Sequence, residues 1–461
     1  MIAQTKQDNF RDTLRTIDGK GARNWVYAEI LDGVWRRRRQ ALAVFLLFFF
    51  AASPWITLNG LPMVQVDVFS RKLVLFGQVF WAHELGLFIT AVLGVIIGIY
   101  ALTAWGGRVF CGWFCPHSTW LEMIFRPIEQ LFEGRANLRR QRDQAGLSAS
   151  KFARKTAKWL TFSVVALLMS ANCVAWVVSG HAVVVALRDP SAHTAMFTAM
   201  AVVAGAFLFN FGWFREQTCL IVCPYGRLQG VLLDRKTLIV GYDSLRGEPR
   251  GRVGTEGAGD CVACTRCVQV CPTGIDIRDG LQLECIGCTA CIDACDDMML
   301  KVGKPKGLIR YTTEAELAGE PPTRHWRPLL YMGLAAVLVL VAVLRVSLRS
   351  DYDATMMRQG MANFTVSGAV VQNYLQVMVD NKSRDSLTFR VVSETPGVEI
   401  YVPATEKTTV AGLEPTEIGM FVRIPQSAFH QGSSQVKVRV EAVQGNHRPV
   451  RVSFDAFGPE D

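Results

Sequence analysis

Cys261-Val-Ala-Cys264-Thr-Arg-Cys267-Val-Gln-Val-Cys271-Pro272 and Cys285-Ile-Gly-Cys288-Thr-Ala-Cys291-Ile-Asp-Ala-Cys295-Asp296 share one spacing, C-x2-C-x2-C-x3-C. Three thiolates from a tight turn take three irons of a cube, and the fourth cysteine of each run reaches the other cube. The spacing predicts two [4Fe–4S] clusters. One sits on Cys261, Cys264, Cys267 and Cys295, the other on Cys285, Cys288, Cys291 and Cys271. Structural zinc seldom uses evenly spaced triplets, and disulfide frameworks belong to small secreted domains. Asp296 stands where the first run has Pro272, a position that is not a ligand. The chemistry this implies is electron transfer by a ferredoxin-like domain.

Outward from these runs the chain is apolar, with hydrophobic residues making up 50% of its 461 positions. Five stretches approach the roughly 20 apolar residues of a membrane helix. They are Ala41 to Asn59, Leu85 to Trp105, Trp159 to Ser179, Ala195 to Trp213 and Leu329 to Leu344. About forty polar residues precede the first, the wrong order for a cleavable signal peptide.

Charge sets the expected orientation. Arg36, Arg37, Arg38 and Arg39 abut the first span, Gly106 to Lys158 holds ten Lys or Arg, and Arg215 to Arg324 holds fourteen. The opposite loops carry only Arg71, Lys72 and Arg188. Lys and Arg stay cytoplasmic, so the N-terminus and clusters are expected inside and the segment after the fifth span outside. The formal net charge of +9 is therefore a topology signal, and a nucleic-acid partner is not expected. Twelve of the thirteen cysteines fall at or beyond the cytoplasmic face, as reduced thiols require. Cys173, inside span three, reads as packing.

Spans two and four end alike, in Arg108-Val-Phe-Cys111-Gly-Trp-Phe-Cys115-Pro116 and Arg215-Glu-Gln-Thr-Cys219-Leu-Ile-Val-Cys223-Pro224. Cysteines at i and i+4 share a helix face, and the proline fixes where each turn stops. Two hairpins packed as a pseudo-symmetric pair would bring four thiolates together at the membrane boundary, within one chain or across a homodimer. Such soft ligands suit Cu(I), zinc or another iron–sulfur cluster, and His117 is a further candidate ligand.

Residues 226–260 are charged and Gly-rich, with no phosphate-loop or dinucleotide fingerprint, so electrons are expected from a separate donor. From about Asn363 apolar residues alternate, as in Leu375, Val377 and Val379 or Val436, Val438 and Val440. That pattern argues for short antiparallel strands, roughly seven of them, in an immunoglobulin-like sandwich. The expected whole is a multi-domain membrane protein. Residues 1–40 form an N-terminal segment, 41–225 two helical hairpins in lipid, and 226–325 the linker and cluster domain. Residues 326–347 form a fifth helix and 348–461 an all-β sandwich.

Phe110-Cys-Gly-Trp-Phe-Cys-Pro116, Cys223-Pro-Tyr-Gly-Arg-Leu-Gln229, Arg246-Gly-Glu-Pro-Arg250, both cluster runs and Gly307-Leu-Ile-Arg-Tyr311 together resemble the CcoG/FixG/RdxA family. These are bacterial inner-membrane accessory proteins of the cbb3-type cytochrome oxidase. The resemblance extends from about Arg36 to the end of the chain. It implies a cupric reductase that turns Cu(II) into Cu(I) for the oxidase's copper centre. Cys111, Cys115, Cys219 and Cys223 would hold the copper while the cubes relay single electrons. Oxidase assembly factors and copper carriers are the implied partners, with a periplasmic C-terminal domain. His117-Ser-Thr-Trp120 stands where the family commonly has Gln-Thr-Val-Trp. Two other readings use the same residues: a quinol-linked conduit similar to NapH and NosR, and a non-catalytic scaffold that senses redox state.

Overall fold

Helix α1 (Val34–Ala52) begins with the arginine run and ends just before Pro54. The computed structural model describes residues 16–17, 20, 22–81, 84–321, 326–357, 364–429, 432–445 and 447–459. They divide into two units, residues 1–342 and 343–461. After α1 the chain forms an antiparallel meander of β1 (Val64–Asp67), β2 (Lys72–Leu75) and β3 (Gln78–Trp81). The sequence pattern predicts only a loop here. Its alternation is short, and its turns rest on Arg71, Phe76 and Gly77 at φ 53°, 49° and 76°.

Three long helices follow: α2 (Leu85–Gly106), α3 (Ala149–Val178) and α4 (Thr194–Phe207). The Ser148 hydroxyl starts α3 by accepting the Lys151 amide at 3.2 Å. Short α5 (Pro224–Leu232) leads into the cluster domain. There β4 (Ile239–Tyr242) and β5 (Ile309–Thr312) pair antiparallel across α6 (Ala290–Lys301). Ile275, Ile277, Ile292, Met299 and Leu308 pack with the buried cysteines as its core.

Four helices among the described residues are long and apolar enough to cross a membrane. They cover Gly86–Gly106, Ala149–Val178, Thr194–Phe214 and Arg327–Ser347, the last being α7. The first of the five expected spans, Ala41 to Asn59, is not among them. Its helix holds Arg36 to Arg39, is apolar only from Ala41, and gives way at Thr57–Leu58 to a strand. Even so, α1 joins opposite ends of the bundle. Arg39 donates to the Gly112 and Cys288 carbonyls at 2.9 and 3.0 Å. At the other end the Phe50 carbonyl accepts from Asn172 at 2.8 Å and Trp176 at 3.0 Å, near the far end of α3.

The second unit is the expected sandwich. Its strands are β6 (Tyr352–Met357), β7 (Thr365–Ser367), β8 (Val370–Asn381), β9 (Leu387–Ser393), β10 (Glu399–Tyr401), β11 (Thr409–Val410), β12 (Pro415–Pro425), β13 (Ser433–Ala442) and β14 (Val450–Phe457). One sheet runs β10-β12-β8-β6 with β7 on β8, and the other runs β11-β9-β13-β14. Val377, Val379, Val436, Val438 and Val440 are fully buried between them, as alternation requires. The Tyr352 hydroxyl ties the sheets together on the Val440 carbonyl at 2.9 Å.

Candidate electron-transfer site

The two cysteine runs fold alike. Ala263 and Thr265 flank Cys264 at φ 53° and 57°, and Gly287 and Thr289 flank Cys288 at φ 65° and 65°. Left-handed backbone costs a non-glycine residue roughly 1–2 kcal/mol, so three such positions mark a constrained loop. The turns aim backbone amides at sulfur: the Gly287 N–H donates to Cys285 Sγ at 3.4 Å. Cys261, Cys264, Cys267 and Cys295 line one hollow of about 360 Å³, with Tyr242, Met299 and Leu308. Cys271, Cys285, Cys288 and Cys291 line a second of about 360 Å³, with Val240, Ile275 and Ile277, and Cys267 lines both. These are the crossed sets that the spacing predicts. Four soft donors around an apolar hollow, with amides directed at sulfur, fit an iron–sulfur cube.

Burial pushes Cys288 up to about 11 and Cys267 and Cys295 up to about 12. A positively charged metal core is what would hold these thiols as thiolates.

Both Cys-x3-Cys turns are π-helical, Phe110–Phe114 and Thr218–Val222, rather than α-helical. The Cys115 amide bonds to the Phe110 carbonyl at 2.9 Å and the Cys223 amide to Thr218 at 2.8 Å. Single π turns concentrate at functional sites. Cys115 and Cys223 then turn extended, at ψ 123° and 112°, as a residue before proline must. Pro116 and Pro224 open the next helices. Within one chain the turns lie close enough that Cys219 feels Cys115, Cys111 and Cys223, beyond the burial that mainly raises its pKa. Cys111 is pushed up to about 12, chiefly by burial, and its thiol donates to Gln229 Oε1 at 3.5 Å. Among the described residues no three Cys, His, Asp or Glu side chains already close on a single-ion point.

The residue after each proline crosses to the other hairpin. His117 stacks on Phe211 with ring centroids 5.1 Å apart; its Nε2 donates to the Arg215 carbonyl at 3.0 Å and its Nδ1 accepts from Asn210 at 3.2 Å. Tyr225 meets the Thr103 hydroxyl and packs edge-on to Phe110 at 5.5 Å. His117 is therefore corrected from candidate ligand to latch. Both ring nitrogens are occupied, and burial lowers its pKa so that the ring stays neutral.

The first turn sits on the second cluster loop. A Cβ on Gly112 would lie 2.7 Å from the Ile286 and Gly287 carbonyl oxygens, so only glycine allows the approach. Arg108 donates to the Leu283 and Cys285 carbonyls, the latter at 2.7 Å, while Arg39 bridges Gly112 and Cys288. The second turn is held by buried charge. Arg215 pairs with Glu129 at 3.2 Å and Glu216 at 3.6 Å, and Glu129 also takes Arg139 at 2.5 Å and Lys158 at 3.7 Å. Sequence reasoning used Arg39 only for orientation and left Gly112 and Gln229 without roles. Cys288, the partner of Arg39, lies 249 residues away.

The comparisons agree with this geometry. Residues 214–314 match a 4Fe-4S dicluster domain, 85–139 a 4Fe-4S binding domain, and 342–456 the IG-like fold at the C-terminal of FixG. Protein RdxA of Cereibacter sphaeroides is 31% identical over 386 residues, 79% of this chain and 81% of its own. The chain belongs to the RdxA/FixG family. Protein RdxB of the same organism is 31% identical over 83% of this chain and 87% of its own. The nitrogen fixation protein FixG of Rhizobium meliloti is 27% identical over 93% and 92%. This RdxA/FixG-family chain is an iron–sulfur electron-transfer protein of the membrane.

Proposed function

We propose that this protein reduces Cu(II) to Cu(I) at Cys111, Cys115, Cys219 and Cys223, on the cytoplasmic face of a bacterial inner membrane. The product would supply the copper centre of a cbb3-type oxidase through its assembly factors and copper carriers. The observation that carries the reading is the contact of Gly112 with Gly287. It seats a turn with two of the four thiols against the loop of Cys285 and Cys288. The crossed cysteine sets would hold two [4Fe–4S] cubes, which when bound take up and release one electron at a time.

The chain's residues would do the rest. Cys285 and Cys288 anchor the loop nearest the tetrad, and Gly112 keeps the separation short. Thiolates favour Cu(I) over Cu(II), so the tetrad binds the product state more tightly than the substrate. Cu(II) gains one electron from the loaded cluster domain, which a reduced soluble carrier refills. We further propose that α1 crosses the membrane despite its arginines. Its apolar part begins at Ala41, and the Phe50 carbonyl near its far end is bonded to Asn172 and Trp176 of α3, a helix long and apolar enough to cross. Five crossings put the N-terminus and clusters inside and the sandwich outside, in agreement with the basic loops.

The test is anaerobic Cu(II) reduction by the protein in detergent, read with a Cu(I)-specific chelator while cluster absorbance is followed. Catalytic turnover in wild type that disappears in Cys111→Ser/Cys223→Ser, with both cubes intact, is the expected result. Intact cubes without copper turnover in wild type would sink the reductase and favour the quinol-linked conduit. Stoichiometric reduction alone would point to a redox-sensing scaffold.

A further inference from the structure

The fixed charges facing the two cysteine groups differ. Near Cys261, Cys264, Cys267 and Cys295 stand Arg278, Asp276 and Asp296. Arg278 is locked to Asp276 by two hydrogen bonds of 2.8 and 2.6 Å, and Arg266, which also lines this hollow, pairs with Asp297 at 2.8 Å, so each of these cations has a carboxylate partner. Near Cys271, Cys285, Cys288 and Cys291 stand Arg39, Arg108 and Arg126, with Glu122 and Glu284. Glu122 and Glu216 pair with Arg126 at 3.1 and 3.6 Å. Arg39 and Arg108 differ from it. They are 6% and 5% exposed, and among the described residues neither closes an ion pair within 4 Å, although the buried Glu284 carboxylate faces Arg108. Their N–H groups go to the carbonyls of Gly112, Cys288, Leu283 and Cys285, and Arg108 Nε has no partner.

A cube gains a negative charge on reduction, and a buried unpaired cation stabilises that charge far more than a paired one does. We propose that Arg39 and Arg108 raise the reduction potential of the Cys271–Cys285–Cys288–Cys291 group above that of the other group, making it the exit for electrons. The proposal rests on the two-cube reading given above. Arg39 and Arg108 are positioning residues, since they touch backbone carbonyls rather than sulfur. With both cubes bound, one electron would pass from the cube on the Cys261 group, which would be oxidised, to the cube on the Cys285 group, which would be reduced, with no bond made or broken. A reduced one-electron carrier of the ferredoxin or flavodoxin class restores the first group. Electron flow then runs toward Gly112 and the tetrad.

The experiment is a redox titration of the full-length protein, both cubes loaded, followed by electron paramagnetic resonance. Wild type should show two one-electron waves separated by at least a tenfold equilibrium preference, about 59 mV for one electron. Arg108→Gln and Arg39→Gln should each lower only the higher wave, and Arg108→Lys should restore most of it. Asp276→Asn, which unmasks Arg278 at the other group, should raise only the lower wave and narrow the gap. Coincident wild-type waves, an equal shift of both waves in Arg108→Gln, or an Arg108→Lys variant as low as Arg108→Gln would overturn the proposal. Fewer than two cubes in loaded wild type, by iron content and signal count, would overturn the two-cube reading instead.

Discussion

The two Cys-x3-Cys-Pro turns share a spacing, a leading arginine and a following proline, yet they lean on different neighbours. In the first, Arg108 turns toward the cluster loop and grips the carbonyls of Leu283 and Cys285. In the second, Arg215 adopts φ 54° and turns into a carboxylate network on Glu129 and Glu216. One arginine seats a cysteine turn against the cluster loop; the other fastens the two hairpins. A duplicated motif has kept its thiols and divided its supports. Substitutions on either side should therefore fail in different ways.

The largest effect is expected at Glu129, which is 4% exposed and faces Arg139, Arg215 and Lys158. Glu129→Ala takes from Arg139 its paired carboxylate and from Arg215 and Lys158 one of two, Glu216 and Glu133 remaining, at a cost of about 3–5 kcal/mol. Thermal melts in detergent should show a large drop in Tm, and an unchanged Tm would mean that the network does not fasten the hairpins. Gly112→Ala comes next, with overpacking of about 1–3 kcal/mol against backbone that cannot move aside. Here the melt should change less than the chemistry. Electron delivery to Cu(II) is expected to fall at least tenfold while both cubes persist, and retained delivery would break the link between that contact and function.

A smaller effect is expected where α1 begins. The Trp35 and Arg36 amides have no cap from Gly33 and donate instead to Asp293 of α6, at 3.1 and 2.8 Å. Asp293→Ala should cost about 0.5–2 kcal/mol, measured by the same melts, and Asp293→Asn should recover part of it.

The mildest prediction concerns pH. Unfolded thiols titrate near about 8.5, whereas burial holds Cys111 up at about 12. A raised folded value favours the protonated thiol. Its contribution is complete below about pH 8.5 and is lost as pH climbs toward 12. Metal-free protein should melt lower at pH 9.5 than at pH 7.5, and Cys111→Ser should flatten that difference. Ion binding expels these protons, so affinity at the tetrad should rise with pH. A pH-independent affinity would place the ion elsewhere.

The parts legible in the sequence are those whose signal is local. Cysteine spacing predicted the two groups that line the hollows of the cluster domain, and alternation at Leu375, Val377 and Val379 named the inward face of a strand that is buried there. Contacts set by distant partners were not legible. His117 looked like a ligand because it follows a cysteine turn, and only packing of the hairpins shows Asn210 and Arg215 occupying its ring. Arg36 to Arg39 read as one orientation signal, but Arg39 points inward to the Cys288 carbonyl. The meander at residues 64–81 was hidden by strands of four residues each, too short for a clear period.

The Asp293 contact also gives the chain an order of events. The start of α1 leaves the ribosome with its leading amides bare, and the group that satisfies them follows 258 residues later. Maturation of the first helix thus waits for translation of the cluster domain, whose helix α6 carries both Asp293 and two of the cysteines. Nascent chains arrested before Asp293 should leave residues 33–40 open to protease, and chains released after it should protect them. Equal protection in both would show that the first helix matures without waiting.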